Sequence, residues 1–207
     1  MSRGAKILLG AALAASVVCL SATARGPSEE DDEAQQRRKA AAARPDVLRL
    51  ADSLDRDENE IEKQAHAVAE KHELHSVMWI LKPHDGFRVL PKSEAPYDGI
   101  ELQLFMLAKK PMAVKDLEAS RDDLIRMTKV IFAVSRVAPL YAMQYADKSG
   151  PKDRKTWPQC CGDMQDRSQD LIDALKGDDV NAIQSAAASL KCSCEACHSG
   201  YRDSNPR

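Results

Sequence analysis

The segment Cys194-Glu195-Ala196-Cys197-His198 constrains this chain more than any other part of its sequence. It is a C-x-x-C-H pentapeptide, the attachment sequence of a c-type haem. In such a site each cysteine sulfur bonds one vinyl group of the porphyrin, and the histidine binds the iron. The motif therefore predicts one haem c per chain, attached through Cys194 and Cys197, with His198 as the proximal iron ligand.

Three other uses of a C-x-x-C pair are weaker alternatives. A thioredoxin-like motif follows a strand and opens a helix, and no strand pattern precedes this one. A zinc site needs a second pair of ligands, for which only Cys192 and the adjacent Cys160 and Cys161 are available. The neighbouring Cys197 and His198 would also chelate one tetrahedral ion poorly. A plain disulfide leaves the histidine without a role.

Residues 1–24 have the pattern of an export signal. Arg3 and Lys6 are followed by an apolar stretch over 7–20 and by a small-x-small cleavage site that ends at Ala24. The apolar stretch is too short for a stable transmembrane anchor. Because haem is attached to C-x-x-C-H proteins on the outer side of an energy-transducing membrane, the signal and the motif both predict the periplasm.

Composition excludes several classes of function. The 30 basic and 32 acidic residues nearly balance and form no basic stripe, so nucleic-acid binding is not expected. After the signal, no apolar run is long enough to span a membrane. No catalytic constellation is visible, so we do not expect an enzyme. Residues 25–45 are charged and alanine-rich, which predicts a flexible leader or a solvated helical extension.

Helical periodicity runs from residue 46 onward and predicts a haem domain over 46–203, followed by a tail over 204–207. The predicted helices are 46–82, with breaks near 55–59 or 71–73, then 113–146, then 155–176, and a last helix that carries the motif. A long connection and a short apolar turn, 100–107, separate the first two helices. We expect an all-α fold, an antiparallel four-helix bundle with one covalently attached haem.

The last helix has the clearest pattern, because its apolar residues recur every three or four positions. Both motif cysteines lie on this seam, which would hold the porphyrin inside the bundle and not at its rim. Pro139 should kink or end the second helix. The seam of the last helix consists of Val180, Ile183, Ala187, Leu190, Cys194, Cys197 and Tyr201.

The motif is followed by Tyr201 and Arg202, and this ending resembles that of cytochrome c′ and the related class II c-type cytochromes. The resemblance implies a four-helix bundle with the haem motif in its last helix, and it implies that Arg202 lies by the proximal haem face. Dimers are common among such proteins, so a homodimer is one option here. The chain departs from the family at Glu195, where lysine is frequent.

The family resemblance also implies that the first helix faces the distal side of the haem. Met78 is the first candidate for a sixth iron ligand, and His75 or His72 are the alternatives. A sixth ligand predicts a one-electron carrier between periplasmic redox proteins. An apolar distal wall predicts instead a five-coordinate haem that binds nitric oxide or carbon monoxide.

Three further cysteines lie outside the motif. Cys160 and Cys161 are about as far before the turn between the last two helices as Cys192 is after it. The sequence therefore predicts a disulfide between Cys192 and one member of the pair. The remaining thiol would be buried or would cross-link two subunits.

Overall fold

A computed structural model describes residues 29–82, 99–142 and 151–201, and all of its regular elements are helical. The predicted signal peptide, the tail and Arg202 lie outside the described residues. Within the described ranges, no helix has both the length and the apolar character that a membrane crossing requires. The elements are α1 (Glu29–Asp52), α2 (Glu58–Lys71), α3 (Leu74–Trp79), α4 (Ile100–Lys109), α5 (Val114–Val137), a 3₁₀ turn (Ala138–Tyr141), α6 (Pro151–Leu175) and α7 (Val180–Tyr201).

The first predicted helix is divided into the end of α1, α2 and α3, with a break at each of the two places that the sequence offered as alternatives. Asp57 begins α2, because its carboxylate accepts a hydrogen bond from the Asn59 amide at 2.7 Å. His72 ends α2 in an extended conformation with φ −129° and ψ 150°. These short-range signals set the boundaries of α2 before any tertiary contact is considered.

Helix α1 begins well before the predicted start of the haem domain. Ala40 and Ala43 are buried, so the second half of the alanine-rich segment belongs to the core and is not a solvated extension. Alanine has the highest helix propensity and a small side chain, which suits a helix packed against α3 and α5. Pro45 lies inside α1 without ending it, and Lys39 pairs with Glu73 at 3.1 Å.

The 3₁₀ turn marks the end of α5, next to the proline that predicted it. Pro139 lies in the first positions of this turn, where its missing N–H removes no helical hydrogen bond. The indole N–H of Trp157 donates to the carbonyl of Ala138 at 3.1 Å and so joins α6 to this turn. The third predicted helix is present as α6, which begins a few residues earlier than expected.

The second half of the fold is organised around α6 and α7, which pack side by side and are joined by the short turn 176–179. Helix α5 packs against α6, and α4 packs against α7. The sequence predicted only a short apolar turn where α4 lies. It is instead a ten-residue helix, because Ile100, Leu104 and Leu107 form an apolar face that is buried.

The motif lies at one end of the molecule, which we call the motif end. Here α3 ends and α4 begins, since the Glu101 amide donates to the Leu81 carbonyl at 2.9 Å. Helix α6 begins and α7 ends at the same place, because the rings of Trp157 and Tyr201 meet edge to face with centroids 4.7 Å apart. Four helices therefore converge around the C-x-x-C-H segment.

Candidate haem-attachment site

Helix α7 presents the motif cysteines to the interior because of how it begins and which of its positions are apolar. The Asp179 carboxylate accepts a hydrogen bond from the Asn181 amide at 2.9 Å and caps the first turn. Leu190 is fully buried one turn before the motif. Cys194 and Cys197 follow it at steps of four and three residues, so they continue the buried face.

The three motif side chains differ in exposure. Cys197 is 4% exposed, Cys194 is half-buried and His198 is exposed. Consecutive helical residues point about 100° apart, which turns His198 away from the interface that Cys197 enters. His198 lies one turn after Cys194, so these two side chains share a side of the helix. The prediction that the cysteines belong to an inward seam is confirmed at Cys197.

Cys197 lies in the interface of α7 with α6, which carries two further cysteines. Cys160 raises the pKa of Cys197, and Cys197 raises that of Cys161, so the three thiols are near one another. Cys161 is 1% exposed and Cys160 is half-buried. Four thiols, those of Cys160, Cys161, Cys194 and Cys197, thus gather at the motif end. We call them the thiol cluster.

The predicted disulfide to Cys192 is wrong in this structure. Cys192 is exposed, and all five described cysteines are free thiols. Cys161 lies as many residues before the end of α6 as Cys194 lies after the start of α7, whereas Cys192 lies two residues closer to the turn. Two residues rotate a helical position by about 200°, which places Cys192 on the opposite face of α7. Aligning the seams of the two helices would have found this register.

Burial raises the pKa of the thiols in the cluster. The pKa of Cys161 is raised to about 12, first by loss of water and then by the neighbouring Cys197 and Cys160. The pKa of Cys197 is also raised to about 12, by loss of water and by Cys160 and Cys194. The pKa of Cys194 is raised to about 11 by burial and by the Glu101 carboxylate. These sulfurs are therefore protonated and weakly nucleophilic at neutral pH.

Helix α4 supplies the other side of the site. The charge of Glu101 raises the pKa of Cys194, and no pattern in the sequence predicted that these two residues lie near each other. Phe105 is 42% exposed one turn further along, and the Lys191 ammonium of α7 lies 5.6 Å from its ring centroid. Cys194 thus faces α4, while Cys197 faces α6.

Met78, the candidate sixth ligand, is half-buried on α3. Helix α3 packs against α1 and α5, whereas α7 packs against α4 and α6, so the main interfaces of the two helices are different. The first turn of α4 lies near both helices, since the Glu101 amide donates to the Leu81 carbonyl and the Glu101 carboxylate raises the pKa of Cys194. The structure brings Met78 to the motif end but not against the motif.

The alternative histidine ligands occupy different surroundings. His75 is exposed, and its ring lies 5.5 Å from that of Trp79. His72 is mostly enclosed, because its Nε2 is 2.8 Å from an Asp46 carboxylate oxygen. The Tyr141 hydroxyl also donates to the His72 carbonyl. These contacts give His72 a structural role between α1, α2 and the 3₁₀ turn.

The donor set of the motif fits a covalently attached haem. It offers two thiols spaced by nearly one helical turn, with an imidazole on the residue after the second thiol. Trp79 adds a buried indole N–H for which no described residue is an acceptor, and a group bound at the motif end could satisfy it. Attachment would need space at both sulfurs, because α4 lies beside Cys194 and α6 beside Cys197.

Comparisons of the chain with protein-family models, with curated proteins and with solved structures found no match.

Proposed function

We propose that this chain is an exported c-type cytochrome with a single haem, built as a four-helix bundle of the cytochrome c′ type. It carries single electrons between redox proteins of the periplasm. One observation carries the proposal: the C-x-x-C-H motif lies on the last helix with Cys197 buried and Cys194 half-buried on the inward face. An enclosed site is what a porphyrin needs, since most of its surface is apolar.

Each motif residue has a distinct role in this proposal. Cys194 and Cys197 hold the haem covalently, and His198 binds its iron from the proximal side. The haem, when bound, supplies reversible one-electron chemistry, while the protein supplies orientation and burial. Met78 is the proposed sixth ligand, because its thioether would favour reduced iron. Arg202 is proposed at the proximal face, as the family resemblance implies.

The second candidate is a cytochrome c′-type protein that binds nitric oxide or carbon monoxide at a five-coordinate haem. The packing of α3 favours it, since Met78 lies in an interface that α7 does not share. If Met78 stays there after haem attachment, the distal position is open to small gases. The two candidates therefore differ in a single property, the occupancy of the sixth coordination position.

The first experiment expresses the full chain together with a haem-attachment system and measures its mass after denaturation. A chain heavier by one haem supports the assignment as a c-type cytochrome, and a chain with the mass of the apoprotein contradicts it. The absorption spectrum of the reduced protein is then recorded before and after carbon monoxide. A low-spin spectrum that does not change on addition of carbon monoxide supports the electron carrier. A high-spin spectrum that shifts on addition of the gas supports the gas-binding protein.

A further inference from the structure

The most exposed large apolar side chains lie close together in the sequence, at the end of α4 and the start of α5. Phe105 is 42% exposed, Met106 is 52% exposed and Val114 is 51% exposed, and the described residues include no other large apolar side chain of comparable exposure. Single exposed apolar residues are ordinary, but a group of them marks a surface that binds something else. We call these three residues the exposed apolar group.

Helix α4 is apolar on its inner and on its outer face. Ile100, Leu104 and Leu107 form the inner face and are buried in the domain. Phe105 and Met106 form the outer face and remain accessible to solvent. Packing within the domain accounts for the inner face only, so the outer face needs another explanation.

Lysine side chains lie beside this outer face. Lys109 follows Phe105 by one helical turn, and its ammonium is 5.8 Å from the centroid of the Phe105 ring. The ammonium of Lys191, on α7, lies 5.6 Å from the same centroid. Glu195 pairs with Lys191, but residues 102–115 carry three lysines and no acidic residue. The outer face of α4 is therefore both apolar and positively charged.

The composition of this surface indicates what binds there. The cores of protein–protein interfaces are enriched in tyrosine, tryptophan and arginine and depleted of lysine, whereas residues 102–115 contain lysine and none of the other three. A symmetric pairing of two copies would bring like charges together. Apolar side chains bordered by lysines are instead typical of helices that lie in the surface of a bilayer. The carboxylates of Glu101 and Asp116 flank this stretch of sequence at its two ends.

We propose that the outer face of α4 and the start of α5 dock on the surface of an anionic lipid bilayer. The exposed apolar group enters the headgroup region, while Lys109, Lys110 and Lys115 lie among the lipid phosphates. Because α4 packs against α7, docking holds the motif helix beside the membrane, where a haem could exchange electrons with membrane-bound partners. That consequence, unlike the docking itself, rests on the proposed function.

The test measures cosedimentation of the full chain with vesicles made of equal parts of phosphatidylglycerol and phosphatidylcholine. All proteins compared carry the same residues 1–24, so any binding by those residues is common to them. Phe105→Ser combined with Val114→Ser should weaken binding about tenfold, because apolar contact with the bilayer is lost. Lys109→Gln combined with Lys110→Gln should also weaken it about tenfold, because attraction to the anionic lipid is lost. Vesicles of phosphatidylcholine alone should not distinguish the lysine variant from the parent protein.

The matched control is Lys63→Gln combined with Lys176→Gln, which removes the same charge from α2 and from the turn after α6. This control should bind the mixed vesicles as tightly as the parent protein. A parent protein that does not bind them, or that binds no better than the two double variants of the α4 face, would overturn the proposal. So would a dimer, detected by sedimentation velocity without lipid, that Phe105→Ser with Val114→Ser dissociates, because the face would then belong to a second copy.

Covalent haem is measured on the same proteins, which separates the two possible failures. Vesicle binding with the expected variant pattern, in a chain that attaches no haem, would support the docking and contradict the proposed function. Absence of vesicle binding in a chain that attaches haem would overturn the docking and leave the cytochrome assignment intact.

Discussion

One carboxylate, that of Asp46, ties the middle of α1 to the end of α2. It lies 2.7 Å from the Lys71 ammonium, 2.8 Å from His72 Nε2 and 3.0 Å from the Arg49 guanidinium. The hydrogen bond from Lys71, followed by that from His72, lowers the pKa of Asp46 to about 2. A lowered folded-state pKa stabilises the protein above the unfolded value of about 3.9, and this stabilisation is lost as the pH falls towards 2.

Replacing Asp46 should therefore remove an acid-sensitive contribution to stability. We expect Asp46→Asn to lower the free energy of unfolding by about 1 kcal/mol at pH 7, a figure kept small because Lys71 is largely solvent-exposed. The deficit should vanish as the pH approaches 2. Urea denaturation at pH 7, 4 and 2.5 measures it. Asp52→Asn is the matched control, since Asp52 is 62% exposed and 4.0 Å from Arg126; an equal loss in both variants would refute a special role for Asp46.

The buried thiols should make the haem-free protein sensitive to alkali. The pKa of Cys161 is raised to about 12, so the folded chain keeps a proton that the unfolded chain loses above about 8.5. The contribution of this thiol to stability is then fully present below about pH 8.5 and is lost as the pH rises towards about 12. Between pH 9 and 11, the free energy of unfolding of Cys161→Ala should fall by roughly 1 kcal/mol less per pH unit than that of the parent protein. Denaturation under reductant measures this, and Cys192→Ala, which alters an exposed thiol, should follow the parent.

Local signals predicted the boundaries of helices, whereas contacts distant in sequence could not be predicted. Asp57 and Pro139 act on their own neighbours, so the start of α2 and the end of α5 could be predicted from the sequence. Helix α4 and the burial of Ala40 and Ala43 in α1 depend on packing against partners far along the chain, and the sequence analysis missed both. The effect of Glu101 on the pKa of Cys194 was missed for the same reason. The seam of α7 predicted the burial of Cys197 correctly, but one misaligned helix register led to the wrong expectation of a disulfide between Cys192 and the Cys160–Cys161 pair.

The two faces of α7 lead to a prediction that does not depend on the identity of the sixth ligand. Cys194→Ser and Cys197→Ser should each remove one thioether and lower the haem retained after denaturation. Cys192→Ser should retain all of it, because Cys192 is on the outer face. In-gel haem staining compares the three proteins at equal loading. Loss of haem in Cys192→Ser would contradict the proposed orientation of the helix.

At the level of the complete molecule, the arrangement of α3, α4 and α7 decides between the two proposed functions. If α3 contributes Met78 to the iron, the reduced parent protein should be low-spin and should not bind carbon monoxide. Reduced Met78→Ala should instead be high-spin and should bind the gas to give a low-spin complex. Met106→Ala is the control, since Met106 is 52% exposed on α4. Absorption spectra of the three reduced proteins under the gas give the answer. A Met78→Ala protein with an unchanged spectrum would exclude Met78 as the ligand.

The short turn between α6 and α7 has a consequence for the order of folding. Contacts across this turn join neighbouring parts of the chain, so closing them loses little chain entropy and they can form early. The contact of α4 with α7 should form later, because its hydrogen bond from Gln184 to the Ala108 carbonyl joins residues 76 positions apart. During folding, Cys197 would then be covered by α6 while Cys194 still lacks its cover from α4. If haem is attached during folding, Cys194 is then the more accessible of the two motif sulfurs, and we expect it to be attached first.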